Sequence, residues 1–193
     1  GGARTIEILQ NGIDGIDQKK IAIAKFAASL VETDDTVFIN TSSTALLVAK
    51  YIDTRATIIS NNSRIIDCQN ERLKILLTGG NLNHPKLALT GEFALNNLNK
   101  VKSKICILGI SGISFDTGLT TSNINEVAIN KKMLAQTSEK KIIVADSSKI
   151  NKAHNFTTGD INSFDILITD KDADDKFIAQ LKSLGKTVYM VDY

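Results

Sequence analysis

Residues 36–52 read TVFINTSSTALLVAKYI, and this stretch decides the fold. Thr36–Asn40 opens with β-branched and aromatic residues, four of five favouring extended backbone. Asn40-Thr41-Ser42-Ser43-Thr44 is a run of short polar side chains. Ala45, Leu46, Ala49 and Ile52 then recur at helical spacing and give one apolar face. A strand that runs through a polar turn straight into a helix is one half of a strand–helix–strand unit.

The same alternation continues outward. Expected strands are Thr36–Asn40, Thr57–Ser60, Leu73–Leu77, Lys104–Leu108, Lys141–Ala145, Ile166–Thr169 and Thr187–Val191. Most are nearly continuously apolar, as in parallel strands buried on both faces. Helical patterns fill the gaps. Ile23, Ala24, Ala27, Leu30 and Val31 share one face. Phe177, Ile178, Leu181 and Leu184 share another, which Gly185 should end as a C-terminal cap. The expected class is therefore α/β, a mostly parallel sheet with helices on both faces. Residues 18–193 form one domain, and residues 1–17 read as an irregular lead-in that starts on Gly1-Gly2-Ala3, like a tag remnant.

Composition narrows the function. The 193 residues carry 23 Lys and Arg against 21 Asp and Glu, a net charge of +2. That is too close to neutral for a dedicated nucleic-acid surface. The longest apolar runs fall far short of a membrane span. Two cysteines, Cys68 and Cys106, make no disulfide framework and suit a reducing cytoplasm. His84 and His154 stand seventy residues apart, so no metal spacing appears. No nucleophile elbow, dinucleotide fingerprint or Walker lysine is present, and no cofactor is expected.

In parallel sheets, ligands bind beyond the carboxyl ends of the strands, so each strand-to-helix loop bears on function. Asn40–Thr44 brings hydroxyls and unpaired N–H groups to a helix N-terminus, a natural anion site; a plain N-cap would need one such residue, not five. Ser60-Asn61-Asn62-Ser63 reads first as a cap or turn. Gly79-Gly80 permits either a tight turn or close ligand approach. Gly109-Ile110-Ser111-Gly112 is again glycine-rich at a strand end. Glu126 lies three residues after Asn123, at capping-box spacing, so capping and ligand contact both fit. Lys131 falls on the apparent apolar face of Ile124, Val127, Ala128, Leu134 and Ala135; it either faces inward toward an anion or snorkels at the rim. Asp146-Ser147-Ser148-Lys149 follows the fifth strand with a carboxylate, two hydroxyls and an ammonium.

Taken in order, these loops resemble the C-terminal sensor domain of the DeoR family of bacterial transcriptional regulators. The resemblance runs from about Lys19 to Val191. It is carried by Lys20-Ile21-Ala22-Ile23-Ala24, Phe38–Thr44, Ile59-Ser60-Asn61, Leu77-Thr78-Gly79-Gly80 and Leu89-Thr90-Gly91. It continues through Leu108–Ile113, Gly118-Leu119-Thr120-Thr121, Glu126, Lys131, Ala145–Lys149 and Ile168-Thr169-Asp170. The family usually has an Asp-Ser-Gly-Thr-Thr-like string in the first loop; here Asn40 stands for the acid and Ser42 for the glycine.

The resemblance implies a three-layer α/β/α fold similar to sugar-phosphate isomerases and CoA transferases, with sheet order 3-2-1-4-5-6 plus one extra strand. It implies a phosphorylated sugar or polyol phosphate as effector. Asn40, Thr41, Ser42, Ser43, Thr44 and Lys20 would hold the phosphate. Asn61, Gly79, Gly80, Gly109, Gly112, Glu126, Lys131 and Lys149 would complete the pocket. A homo-oligomer, dimer or tetramer, is expected, with operator DNA bound only through a winged helix-turn-helix that does not precede Lys19 here. The rival reading is a sugar-phosphate isomerase or deaminase on the same fold. Such chemistry needs a base, yet Gly109–Phe115 offers no carboxylate or imidazole until Asp116, which favours a sensor over an enzyme.

Overall fold

The computed structural model describes residues 17–193. The lead-in expected over residues 1–17 lies outside that range except for Asp17, whose carboxylate caps the first helix through the Lys19 N–H at 2.9 Å.

In chain order the elements are α1 (Gln18–Ser29), β1 (Asp35–Ile39), α2 (Ser43–Tyr51), β2 (Ala56–Ser60), β3 (Leu73–Leu77), β4 (Asn81–Asn83), β5 (Ala88–Thr90), α3 (Glu92–Asn99), β6 (Ser103–Gly109), β7 (Gly112–Ser114), β8 (Gly118–Thr121), α4 (Ile124–Ala135), β9 (Thr137–Val144), β10 (Phe156–Gly159), β11 (Ile166–Asp170), α5 (Asp175–Ser183) and β12 (Thr187–Val191). Seven strands form the main sheet in the order β12-β11-β9-β6-β1-β2-β3. Every neighbouring pair in it is parallel. All seven expected strands are present, in the expected order with β12 as the extra edge.

The strands are apolar along their length because both faces are covered. Val37, Ile39, Ile105, Ile107, Ile142 and Val144 pack beneath α1 and α2. Phe38, Cys106, Leu108, Ile143 and Ala145 point the other way, under α3, α4 and α5. Alternation of side chains along a strand produces this two-sided core, and each fully buried aliphatic side chain contributes about 1.5–3 kcal/mol. Burial pushes the Cys106 thiol up to about 11, so it behaves as a small apolar residue. Gly185, with φ of +79°, ends α5 as expected: its N–H donates to the Lys182 carbonyl, and the Lys186 N–H donates to that of Leu181.

Five short strands lie outside the expectation. β10, β8 and β7 form an antiparallel sheet, and β4 and β5 form a hairpin. At three or four residues each, they are too short to show a period. Gly118–Thr121 is therefore a strand, and Gly112 opens β7 rather than ending a loop.

β1 pairs with β2 on one side and β6 on the other. The chain order reverses at this point, and a crevice opens beyond the carboxyl ends of β1 and β6.

Candidate functional site

A cleft of about 450 Å³ occupies that crevice. Its floor is fixed by Asn40, the first residue beyond β1, which is 2 % exposed. The Asn40 amide pairs with Gly109 as a peptide group would. Nδ2 donates to the Gly109 carbonyl at 2.9 Å, and Oδ1 accepts from the Gly109 N–H at 3.1 Å. Nδ2 also reaches Asn130 Oδ1 at 3.1 Å, and Oδ1 accepts from the Ser42 N–H at 3.3 Å. One side chain thus ties the ends of β1 and β6 to α4 and to the start of α2. A carboxylate here could not donate to Gly109.

Ser42 packs on Gly109 so closely that a Cβ at position 109 would lie 1.8 Å from Ser42 Oγ. Only glycine fits there. Ser42 is the N-cap of α2, and its Oγ accepts from the Ala45 N–H at 3.4 Å. The amides of Ser43 and Thr44 occupy the first turn, where no intrahelical acceptor exists. The positive end of the α2 dipole faces the cleft with them.

Glu126 forms the second hub. It is 5 % exposed and turns into the cleft instead of capping its own helix. Its carboxylate accepts from Thr121 Oγ1 at 2.6 Å, Thr41 Oγ1 at 3.2 Å and Lys86 Nζ at 2.7 Å. Asn123 instead caps the Asn125 N–H.

The third wall follows β9. Asp146 accepts from the Ser148 N–H and hydroxyl, and Lys149 enters the cleft from that short turn. The turn is anchored to β11: the Ser147 N–H donates to Asp170 at 2.6 Å. Lys19 Nζ lies 3.0 Å from Asp170, 2.7 Å from Asp172 and 2.9 Å from Ser147 Oγ. Burial works against the Asp170 carboxylate, but the Ser147 N–H and Lys19 outweigh it and hold the carboxyl below the usual range. Lys20, the next residue on α1, lines the cleft.

The lining therefore includes Lys20, Arg64, Lys86 and Lys149 against two carboxylates, Glu126 and Asp146. Among the described residues, no carboxylate lies within ion-pair distance of Lys20, Arg64 or Lys149. The cleft offers hydroxyls, free amides and positive charge, a setting for a small anion bearing hydroxyl groups.

Of the residues expected from sequence, Lys20, Asn40, Thr41, Ser42, Ser43, Thr44, Gly109, Glu126 and Lys149 line the cleft. Five do not. Lys131 is exposed, because the buried face of α4 is Glu126, Ile129, Asn130, Met133 and Leu134, not the face running through Ile124 and Ala128. Two polar residues on the inward face misled the hydrophobic pattern. Asn61 is buried, donating to the Leu89 carbonyl at 3.3 Å, and its neighbour Asn62 takes the lining position. Gly79 and Gly80 shape the exit from β3; a Cβ on Gly80, at φ +104°, would lie 2.4 Å from the Thr90 carbonyl. Gly112 packs on the Lys152 backbone. Sequence reading missed Asn62, Arg64, Lys86, Ser122 and His154 as lining residues. Arg64 sat one residue beyond a loop already in view, whereas Lys86 is delivered by a hairpin with no readable period.

Comparison with known proteins agrees with this architecture. Residues 16–171 match the family described as the DeoR C terminal sensor domain. The HTH-type transcriptional regulator GolR of Listeria innocua is 28% identical over 179 residues, covering 91% of this chain and 70% of that protein. The deoxyribose operon repressor of Escherichia coli K12 is 26% identical over 167 residues, covering 84% of this chain and 66% of that one. Ribose 5-phosphate isomerase from Plasmodium falciparum shares the fold, with a TM-score of 0.50 and 17% identity, over 70% of this chain and 53% of that chain. The sequence relatives are transcriptional regulators, so this is a regulatory domain and not an enzyme, although isomerases share its architecture. The chain belongs to the DeoR family of C-terminal sensor domains.

Proposed function

We propose that the cleft binds a phosphorylated sugar or polyol phosphate and that its occupancy sets the operator affinity of a repressor carrying this domain. The carrying observation is the meeting of the α2 N-terminus with Lys20 and Lys149, two cations for which no described carboxylate is a partner. The Ser43 and Thr44 amides and the Ser42 and Ser43 hydroxyls would hold the phosphate. Asn62, Ser111, Ser122 and Asp146 supply donors and acceptors for sugar hydroxyls. The name of the deoxyribose operon repressor places a regulator of sugar metabolism among the relatives.

A ligand shifts a conformational equilibrium only by its differential affinity for the two states. α1 is suited to carry that difference. Its Lys20 meets the ligand, its Lys19 is locked to Asp170 and Asp172, and its apolar face packs with α2 in one core. Pulling Lys20 inward would reset α1 and the chain that precedes it. In a homo-oligomer, dimer or tetramer, that movement would change the spacing of attached DNA-binding heads, which must match operator half-sites.

Calorimetric titration with a panel of sugar phosphates tests the binding step. A binder present at about a hundred times its Kd should stabilise the domain by about 2.7 kcal/mol. Ser43→Ala and Lys149→Ala should each weaken binding at least tenfold. Unchanged binding in both variants would remove the phosphate from the α2 N-terminus.

A further inference from the structure

Arg64 and Lys86 are two cations that the fold brings together on purpose-built backbone. Arg64 follows β2, in the short helical turn Ser63–Asp67, and Lys86 sits at the tip of the β4–β5 hairpin. The two segments are stitched together: the Ser63 N–H and hydroxyl donate to the Leu87 carbonyl at 3.1 and 2.8 Å, and the Leu89 N–H donates to the Asn61 carbonyl at 2.7 Å. Arg64 Nη2 reaches the Pro85 carbonyl at 3.4 Å. Both charges line the cleft. Two cations lining one cleft favour an anion between them.

One carboxylate, Glu126, pairs with Lys86, and Lys86 is not its sole donor. Glu126 accepts from Thr41 and Thr121 besides Lys86. Lys86 keeps 46 % of its side chain exposed, with ammonium protons left over, and no described carboxylate pairs with Arg64. The pair and Lys149 stand on opposite sides of the α2 N-terminus. Lys149 follows β9 and Arg64 follows β2, and β6 and β1 lie between those strands. β1 leads into α2, so the α2 N-terminus and the Arg64 turn are one interstrand step apart, about 5 Å at the sheet.

From this arrangement we infer that the cleft has a second anion subsite, formed by Arg64 and Lys86, and that its preferred effector is a sugar acid at both ends. The first acid is the phosphate of the reading above, on which this inference rests. The second is a phosphate or a carboxylate, either of which the guanidinium fork can bind in a bidentate manner. A five- or six-carbon chain with an acid at each end would place one acid at each pole. A monophosphate would leave Arg64 and Lys86 facing solvent.

The test compares three probes by calorimetric titration: fructose 6-phosphate, fructose 1,6-bisphosphate and 6-phosphogluconate. The diacids should bind about tenfold or more tightly than the monophosphate. Whichever diacid leads identifies the second group as phosphate or carboxylate. In Arg64→Ala the diacid-to-monophosphate ratio should collapse toward one, and in Arg64→Glu it should fall below one. Arg64 is exposed, and a circular dichroism melt checks that both variants fold. Monophosphate binding with no gain from a second acid would overturn this inference alone. Failure of all three probes to bind, with the wider sugar-phosphate panel also silent, would overturn the underlying reading as well.

Discussion

The two ends of the central sheet use their charged side chains in opposite ways. At the amino end, Lys104 lies 2.8 Å from the buried Asp35, 3.3 Å from Glu32 and 3.9 Å from Glu139, while Lys140 lies 3.6 Å from Glu32. Asp35 and Glu32 hold the Lys104 ammonium well above its ordinary pKa. Each of these charges has an opposite neighbour. At the carboxyl end, Lys20, Lys149 and Arg64 converge on a cleft where the two carboxylates are already engaged. Paired charges close one end of the sheet. Charges without a described partner leave the other end ready for an anion supplied from outside.

The largest expected effect comes from breaking the bracket that shapes the open end. Asn40→Leu strands the buried N–H and carbonyl of Gly109 and the Asn130 side chain, at about 1–3 kcal/mol for each unpaired group. Urea denaturation should show a loss of several kcal/mol. Asn40→Asp should cost less, since a carboxylate still accepts from Gly109 and Ser42 and Asn130 can turn its amide to donate. Equal losses in the two variants would mean the bracket is not what matters.

Gly109→Ala comes next. Its methyl would collide with Ser42, and overpacking of this kind costs about 1–3 kcal/mol. The double variant Gly109→Ala, Ser42→Gly should recover most of the loss, because it removes the colliding side chain and restores the glycine usual in the resembling family. No recovery would show that the contact is not the cause.

The comparison between the ends is sharpened by matched lysine variants. Lys104→Met should lower the melting temperature of the unliganded protein, because it leaves buried Asp35 without its cation. Lys20→Met should leave that melting temperature in place while weakening sugar-phosphate binding. A drop of equal size for both would dissolve the distinction between structural and ligand-facing charge.

The smallest effect is in acid. Asp170 titrates below its ordinary value in the folded state, so its contribution to stability is fully present above pH 3.8. It is lost as pH falls through the lower folded value. Asp170→Asn should therefore flatten the stability curve below about pH 4. An unchanged acid limb would remove the Lys19–Asp170 link from the account.

How much of this was legible in the sequence follows from what each segment buries. The main strands were readable because both their faces are apolar: Val37 and Phe38 point to opposite cores, so the run is continuous. The Asn40–Thr44 loop was readable because five polar residues at a helix start exceed what a cap needs. The inward face of α4 was not, because Glu126 and Asn130 occupy buried positions and break the apolar stripe by which a face is recognised. Polar residues buried for a network look like solvent-facing ones until their partners are known. Lys86 was invisible for another reason. It reaches the cleft on a hairpin whose strands are three residues long, and its partner Glu126 lies forty residues away in the chain.

The most direct test of the central claim is an amide NMR titration of the labelled domain with a sugar monophosphate. The account predicts that the Ser43 and Thr44 N–H resonances move downfield with saturation, while those of Glu32, Asp35 and Lys104 at the closed end stay in place. Saturable shifts that bypass Ser43 and Thr44, or that centre on the closed end, would contradict it.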